Sequence, residues 1–114
     1  MGEEVELKIF LLIIWIHFIS DFVLQIDKMS LNKSKSFLWL GIHSLIYGIL
    51  FLYFGWIYAL VNSILHFIVD GITSRINKRL LLLKSKHWFF VGVGFDQAVH
   101  LTLLLVSYFL IVGG

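Results

Sequence analysis

Long apolar stretches separated by short polar segments dominate the chain. The first apolar stretch runs from Leu7 to Ile26, and the second runs from Phe37 until Arg75 without a Lys, Arg or Glu. A helix over the second stretch would be about 60 Å long, which is too long for one crossing of a bilayer. We predict a break at Gly55, because it lies among aromatic residues typical of membrane interfaces. A last apolar stretch begins at Trp88.

This pattern predicts four membrane spans, over residues 7–26, 37–54, 56–76 and 88–112. Of the 114 residues, 60% are hydrophobic and 14% are charged, whereas soluble domains have about 45–50% and about 25%. A core of this size cannot bury so many apolar side chains. We expect an all-α integral membrane protein, a four-transmembrane-helix bundle that forms a single domain over residues 1–114.

The basic residues predict the orientation of the bundle. Eight of the nine Lys and Arg residues fall in the first and third connections, the exception being Lys8. The positive-inside rule makes both connections cytoplasmic and both termini external in a multi-pass membrane protein. We expect membrane lipid as a partner and no nucleic acid. Glycines at positions 41, 48, 92 and 94 would allow the chain to pack closely against a copy of itself, so a homodimer is a further candidate assembly.

Two short motifs suggest an internal repeat. His17-Phe18-Ile19-Ser20-Asp21 recurs as His66-Phe67-Ile68-Val69-Asp70. Each copy is followed by a basic connection and a span that carries a further histidine. We therefore expect two tandem helical hairpins with a site at their interface.

Ionisable residues inside the spans are the strongest functional signal. An aspartate in mid-membrane costs about 2.5–3.5 kcal/mol, so such residues mark a cavity or a site. Each aspartate lies four residues from a histidine, on the same helix face and on its cytoplasmic side. The residues predicted to form one site are His17, Asp21, His43, His66, Asp70, Asp96 and His100, with Gln25, Tyr47, Asn62 and Gln97 as supporting partners.

These residue types favour a divalent metal. Neutral imidazole and carboxylate suit zinc, and manganese and iron are the other candidates, while the absence of Cys excludes thiolate ligands. Because the donors exceed the need of one tetrahedral ion, either two ions are bound or the aspartates orient histidines around one. Asp21, Asp70 and Asp96 are also the candidate catalytic residues, since a spare aspartate can serve as a general base. The expected activity is metal-dependent hydrolysis of a lipid or other amphiphile that enters from the cytoplasmic leaflet.

At these positions the sequence resembles an uncharacterised bacterial inner-membrane family that contains a domain of unknown function. The matching elements are the two His-Phe motifs, Gln25, the Lys33-Ser34-Lys35 segment, His43, and Asp96-Gln97 with His100, and they cover most of the chain. The resemblance implies no established activity. The chain is also loosely similar to bacterial membrane-bound metal-dependent hydrolases, which have intramembrane His and Asp four residues apart.

Three other functions use parts of the same pattern. A metal-ion or proton carrier or channel would use the whole His and Asp cluster, but the outer half of the spans is nearly free of polar residues, which favours a closed site. A bis-His haem protein would use His17 and His66, yet it gives no role to three aspartates. A structural or regulatory subunit would use the polar residues for interhelical contacts and bind no metal.

Overall fold

The computed structural model describes residues 2–23 and 35–113, and the described residues are all-helical, as predicted. They form four helices, two of which end in a π-helical turn and one in a 3₁₀ turn. These are α1 (Gly2–Phe18, then the π turn Ile19–Val23), α2 (Phe37–Leu50, then the 3₁₀ turn Phe51–Phe54), α3 (Trp56–Leu82) and α4 (Lys86–Ser107, then the π turn Tyr108–Val112).

The chain reverses direction between α2 and α3 at Gly55, where the sequence predicts the break. Gly55 has a φ of 113° and a ψ of 155°, a backbone conformation that only glycine adopts without strain. Its amide donates to the carbonyl of Leu52 (2.9 Å), and its carbonyl accepts from the amide of Ala59 (3.1 Å). The turn sets α2 and α3 side by side and antiparallel.

Small residues let α2 and α3 approach each other closely. A Cβ atom added to Gly48 would lie 2.7 Å from the Cβ of Ser63, so only glycine fits there. The Ser63 hydroxyl donates to the carbonyl of Ser44 across the same contact (2.8 Å). Helix α3 packs against α4 on its other side, and α1 contacts both α2 and α4. The helices of the two predicted hairpins thus share one interior.

The middle of that interior is lined by polar side chains, whereas the outer surface of the helices is apolar. On α3 the buried side chains include Asn62, His66, Asp70 and Thr73. The opposite face exposes a stripe of large apolar residues at positions 57, 60, 64, 68, 72 and 76. Such a distribution is the reverse of a soluble helix, whose apolar face is the buried one.

Within the described residues, three helical segments are long and apolar enough to cross a membrane: Phe37–Phe54, Trp56–Leu82 and Lys86–Val112. The described part of α1 is not among them. It carries Glu6, Lys8 and Asp21, and the predicted first span reaches residue 26, beyond the described range. Helix α3 continues to Leu82, past the predicted end of its span at residue 76, because the basic segment that follows is also helical.

At the Gly55 end of the bundle, the core is a cluster of apolar and aromatic side chains that we call the aromatic plug. Tyr58 donates its hydroxyl to the carbonyl of Leu104 (2.7 Å), and Asn62 donates to the hydroxyl of Ser107 (3.0 Å), so the polar atoms near the plug are hydrogen-bonded. The plug consists of Ile13, Tyr47, Phe51, Tyr58, Ala59, Leu104 and Tyr108.

Candidate metal centre

Buried histidines and aspartates from all four helices lie close together in the bundle, on the side of the aromatic plug that is farther from Gly55. Asp21 comes from the π turn that ends α1, His43 from α2, His66 and Asp70 from α3, and Asp96 and His100 from α4. All six are buried, with at most 7% of any residue exposed. We call these six residues the metal centre. A π turn changes the direction of its side chains relative to those of a regular α-helix, and such turns are frequent at functional sites.

The closest contacts of the centre join Asp21, His43 and His66. The Nε2 atom of His43 lies 2.9 Å from Asp21 Oδ1 and 2.9 Å from the Nε2 atom of His66. His66 Nε2 is in turn 3.6 Å from Asp21 Oδ1. Neutral imidazole nitrogens at this separation can share only one proton, whereas a cation is attracted to all three atoms at once.

Asp70 lies beside this triangle. Its Oδ2 atom is 3.5 Å from His43 Nε2 and 3.7 Å from His66 Nε2. Zinc bonds of about 2.0–2.1 Å correspond to about 3.3–3.4 Å between the ligand atoms of a regular tetrahedron. The distances between the donor atoms, 2.9 to 3.7 Å, bracket that value. The spacing therefore fits a small divalent ion.

Among the described residues, three sets of side chains could hold a metal ion. In each set, one potential ligand atom per residue lies within 4.8 Å of the others. The sets are Asp21, His43 and His66; His66, Asp70 and His100; and Asp21, Asp96 and His100. Because they share Asp21, His66 and His100, they form one continuous centre.

A chain of hydrogen bonds with a fixed direction supports the centre from the side of the plug. His17 Nε2 lies 2.6 Å from Gln97 Oε1, which can only accept, so Nε2 carries the proton of His17. The other ring nitrogen, Nδ1, then accepts from the hydroxyl of Tyr47 (2.9 Å). His17 lies outside the three sets, and both of its nitrogens are engaged in this chain.

The amide nitrogen of Gln97 completes the chain at two carboxylates. It donates to Asp21 Oδ2 (3.1 Å) and to Asp96 Oδ2 (3.2 Å). The Oδ1 atoms of the same carboxylates lie near histidines, Asp21 Oδ1 near His43 and Asp96 Oδ1 at 3.0 Å from His100 Nε2. One amide thus orients two potential ligands, which is the usual role of the residues that surround a metal site.

Two further side chains hold the imidazoles and carboxylates in place. The ring of Tyr47 stacks on that of His66, with centroids 3.9 Å apart and planes at 17°. Thr73, which the sequence reasoning missed, donates a short hydrogen bond to Asp96 Oδ1. The sequence contains a signal for this residue, because Thr73 lies three residues after Asp70 and therefore on the same helix face.

The predicted supporting residues differ in where they lie. Tyr47 and Gln97 contact the centre directly. Asn62 is buried but bonds to the carbonyl of Tyr58 and to Ser107, toward the plug. Its spacing of four residues before His66 takes it one turn away from the ring rather than onto it. Gln25 lies outside the described residues.

A protein-family model matches residues 9–113, a range that includes every residue of the metal centre. The chain belongs to that family, which is described as a protein of unknown function (DUF3307). The resemblance to an uncharacterised family is thereby confirmed, whereas the looser likeness to metal-dependent hydrolases stays a prediction. No curated protein and no solved structure matches the chain. The function of this DUF3307 protein must therefore be argued from its centre.

Proposed function

We propose that this DUF3307 protein is a membrane-embedded, divalent-metal-dependent hydrolase that acts on a lipid or other amphiphile. The observation that carries the proposal is the convergence of Asp21 Oδ1 with the Nε2 atoms of His43 and His66 in a fully buried position. A carboxylate oxygen and two imidazole nitrogens at this spacing are a ligand set that a divalent ion such as zinc accepts.

The distribution of side chains supports insertion in a membrane. Large apolar residues cover the outside of the helices, whereas histidines and aspartates lie inside. Water would oppose that arrangement and a bilayer favours it. Helix α3 has 27 residues and is thus about 40 Å long, about 10 Å more than the hydrocarbon thickness. The excess would carry the basic residues at its end, such as Lys78 and Arg79, to the cytoplasmic surface.

The donor chemistry favours zinc, with manganese or iron as the alternatives. Nitrogen and oxygen donors at tetrahedral spacing are typical of zinc sites. The three carboxylates, Asp21, Asp70 and Asp96, also suit manganese or iron, which accept more oxygen ligands. An ion bound here would act as a Lewis acid that polarises the scissile carbonyl or phosphoryl group and activates water.

The chain's own residues would then move the proton. Asp70 Oδ2 lies beside the two imidazole nitrogens, within reach of a water molecule in the centre, and is the candidate general base. Water would add to the carbonyl carbon or phosphorus while its proton passes to Asp70. The bond to the leaving oxygen would break, and Asp70 would return the proton to that oxygen. Asp21 and Asp96 are the other candidates for this role.

A hydrolase is favoured over a carrier or channel by the aromatic plug. A conduit needs polar lining on both sides of the centre. On the Gly55 side the bundle axis is filled by Phe51, Tyr58, Leu104 and Tyr108, all of them buried. The hydroxyl of Tyr58 is engaged by a backbone carbonyl and offers no path onward. This arrangement suits a site that is closed on that side.

A groove on the outside of α2 and α3 favours an amphiphilic substrate. One hollow of about 270 Å³ is lined by apolar residues such as Ile49, Leu52 and Trp56. A second hollow of about 280 Å³ shares Leu45 and Ser63 with it and continues along the groove to Gly41, Ser44 and Phe67. The groove thus ends beside the residue that follows His43, at the depth of the metal centre. An acyl chain in it would bring its headgroup linkage close to the centre.

The test is a metal-reconstitution assay in phospholipid vesicles. Chelator-treated protein is inserted into vesicles of phosphatidylethanolamine and phosphatidylglycerol, then given Zn²⁺, Mn²⁺ or Fe²⁺, and the lipids are analysed by mass spectrometry. We expect metal-dependent release of a fatty acid, a headgroup or a phosphorylated product by the wild type. Asp70→Asn should abolish the release, and His87→Ala, which changes an exposed histidine, should not affect it.

A second readout on the same vesicles separates the two candidate functions. A zinc-sensitive dye trapped inside reports metal entry. Metal-dependent flux without lipid hydrolysis would overturn the hydrolase and support the carrier. If the protein binds no metal at all, the hydrolase and the metal-ion carrier are both wrong, and a proton path or interhelical polar contacts are the remaining functions of the cluster.

A further inference from the structure

Asp21 and His100 tie two potential metal positions together within the centre. Asp21 belongs both to the set with His43 and His66 and to the set with Asp96 and His100. The remaining set, His66, Asp70 and His100, spans the two positions. The donors are therefore more numerous, and more widely distributed, than one ion of coordination number four can use.

The environment of His100 indicates that this side chain is the ligand of a cation. Its ring is buried, with 2% of the residue exposed, and its Nε2 atom lies 3.0 Å from Asp96 Oδ1. The direction of this contact does not satisfy a hydrogen bond, and Nε2 has no hydrogen-bond partner among the described residues. A nitrogen and an oxygen that lie side by side, without facing each other, are arranged as two ligands of one cation are.

Asp96 is held as a metal-bound carboxylate is. Thr73 donates to its Oδ1 atom and Gln97 donates to its Oδ2 atom, so that its orientation is fixed by α3 and by its own helix. Neighbours that donate to a ligating carboxylate commonly fix its geometry at metal sites. This support is separate from the His43 and His66 pair, so the second position has a framework of its own.

We propose that the centre binds two divalent ions, with Asp21 as the ligand shared between them. His43 and His66 complete the first position, with Asp70 beside it as the candidate general base, and Asp96 and His100 complete the second. Because the two positions would share Asp21, the two ions would be close neighbours, on the scale of the about 3.5–4 Å found in two-metal hydrolytic sites. This inference rests on the proposed metal-dependent function and adds to it the number of ions that the centre binds.

The experiment combines metal counting with electron paramagnetic resonance on Mn²⁺-loaded protein in detergent. We expect two Mn²⁺ per chain after removal of free metal, and a spectrum altered by magnetic coupling between neighbouring ions. His100→Ala should lower the count to one and remove the coupling. His87→Ala is the matched control, because His87 is an exposed histidine in the first turn of α4, outside the centre, and it should keep both ions.

Each outcome for the wild type decides between the two proposals. One ion per chain, or two ions without coupling, overturns the paired centre and leaves the proposed metal-dependent function standing. No retained ion overturns both. Because these results come from the wild type, they hold even if the His100 variant fails to fold.

Discussion

At the scale of single residues, the structure gives Gln97 a more specific role than the sequence predicts. Its carbonyl oxygen fixes the proton of His17, and its amide nitrogen holds the outer oxygens of Asp21 and Asp96. One uncharged side chain therefore determines which carboxylate oxygens face the histidines. Its function is positioning.

Replacing this amide should weaken metal binding without removing a ligand. We expect Gln97→Leu to lower the affinity for Zn²⁺ by about 10–100-fold, the usual effect of losing a residue that orients ligands. Competition with a zinc-binding dye measures it. Thr102→Val is the control, since Thr102 lies on the same helix and bonds only to its own backbone at the surface. Equal affinity in the wild type and the Gln97 variant would contradict the positioning role.

The sequence identified the ionisable residues of the centre because charge in an apolar span is conspicuous. Spacing by four then predicted which His and Asp share a face. It could not predict that His17 would bond to Tyr47 and Gln97 instead of facing His43, because that depends on how α1 and α4 are rotated. Thr73 was not predicted, because a hydroxyl in an apolar helix can bond to its own backbone and so carries little signal; here the hydroxyl lies 2.9 Å from the carbonyl of Val69 but is directed to Asp96.

At the scale of helices, the α2–α3 contact fixes the distance between His43 and His66. Gly48 lies five residues after His43 on α2, and a Cβ there would also lie 3.2 Å from the backbone oxygen of Ala59. Any larger residue must separate the two helices. The geometry of the first metal position therefore depends on a residue that contacts no ligand.

We expect Gly48→Ala to destabilise the bundle by about 1–3 kcal/mol, the usual cost of overpacking, and to weaken metal retention as well. Unfolding in detergent, followed by circular dichroism, measures the first effect. Gly94→Ala is the matched control on α4, because a Cβ there meets nothing within 4 Å. It should leave stability unchanged or raise it by up to about 1 kcal/mol. Equal losses in the two variants would show that helix separation is not the cause.

The sequence predicted the helices well where a physical limit acts on them. The thickness of a bilayer predicted a break in the long apolar stretch, and the aromatic residues around Gly55 indicated where the break lies. The π turn around Asp21 had no such signal, since neither glycine nor proline lies at Ile19–Val23. The order of helix packing, with α3 between α2 and α4, depends on side-chain fit along the whole length of each helix.

At the scale of the whole molecule, the apolar exterior and the basic connection after α3 predict the orientation. Reporter domains fused at Ser34 and at Lys84 should read cytoplasmic, and one fused at Gly114 should read external, because the basic residues oppose translocation. Alkaline phosphatase and green fluorescent protein fusions measure this in bacteria. An external reading at Lys84 would place the metal centre in the outer half of the membrane and contradict access from the cytoplasmic leaflet.

The central claim is that His43 and His66 bind a divalent ion together with Asp21, and X-ray absorption at the zinc edge tests it most directly. We predict that protein loaded with zinc and freed of excess metal shows nitrogen and oxygen neighbours at about 2.0–2.1 Å, with the outer-shell scattering of imidazole. His66→Ala should retain less zinc and show fewer imidazole neighbours while remaining helical, and His87→Ala should keep the wild-type signal. A wild type that retains no zinc, or a His66 variant with an unchanged zinc environment, would contradict the account.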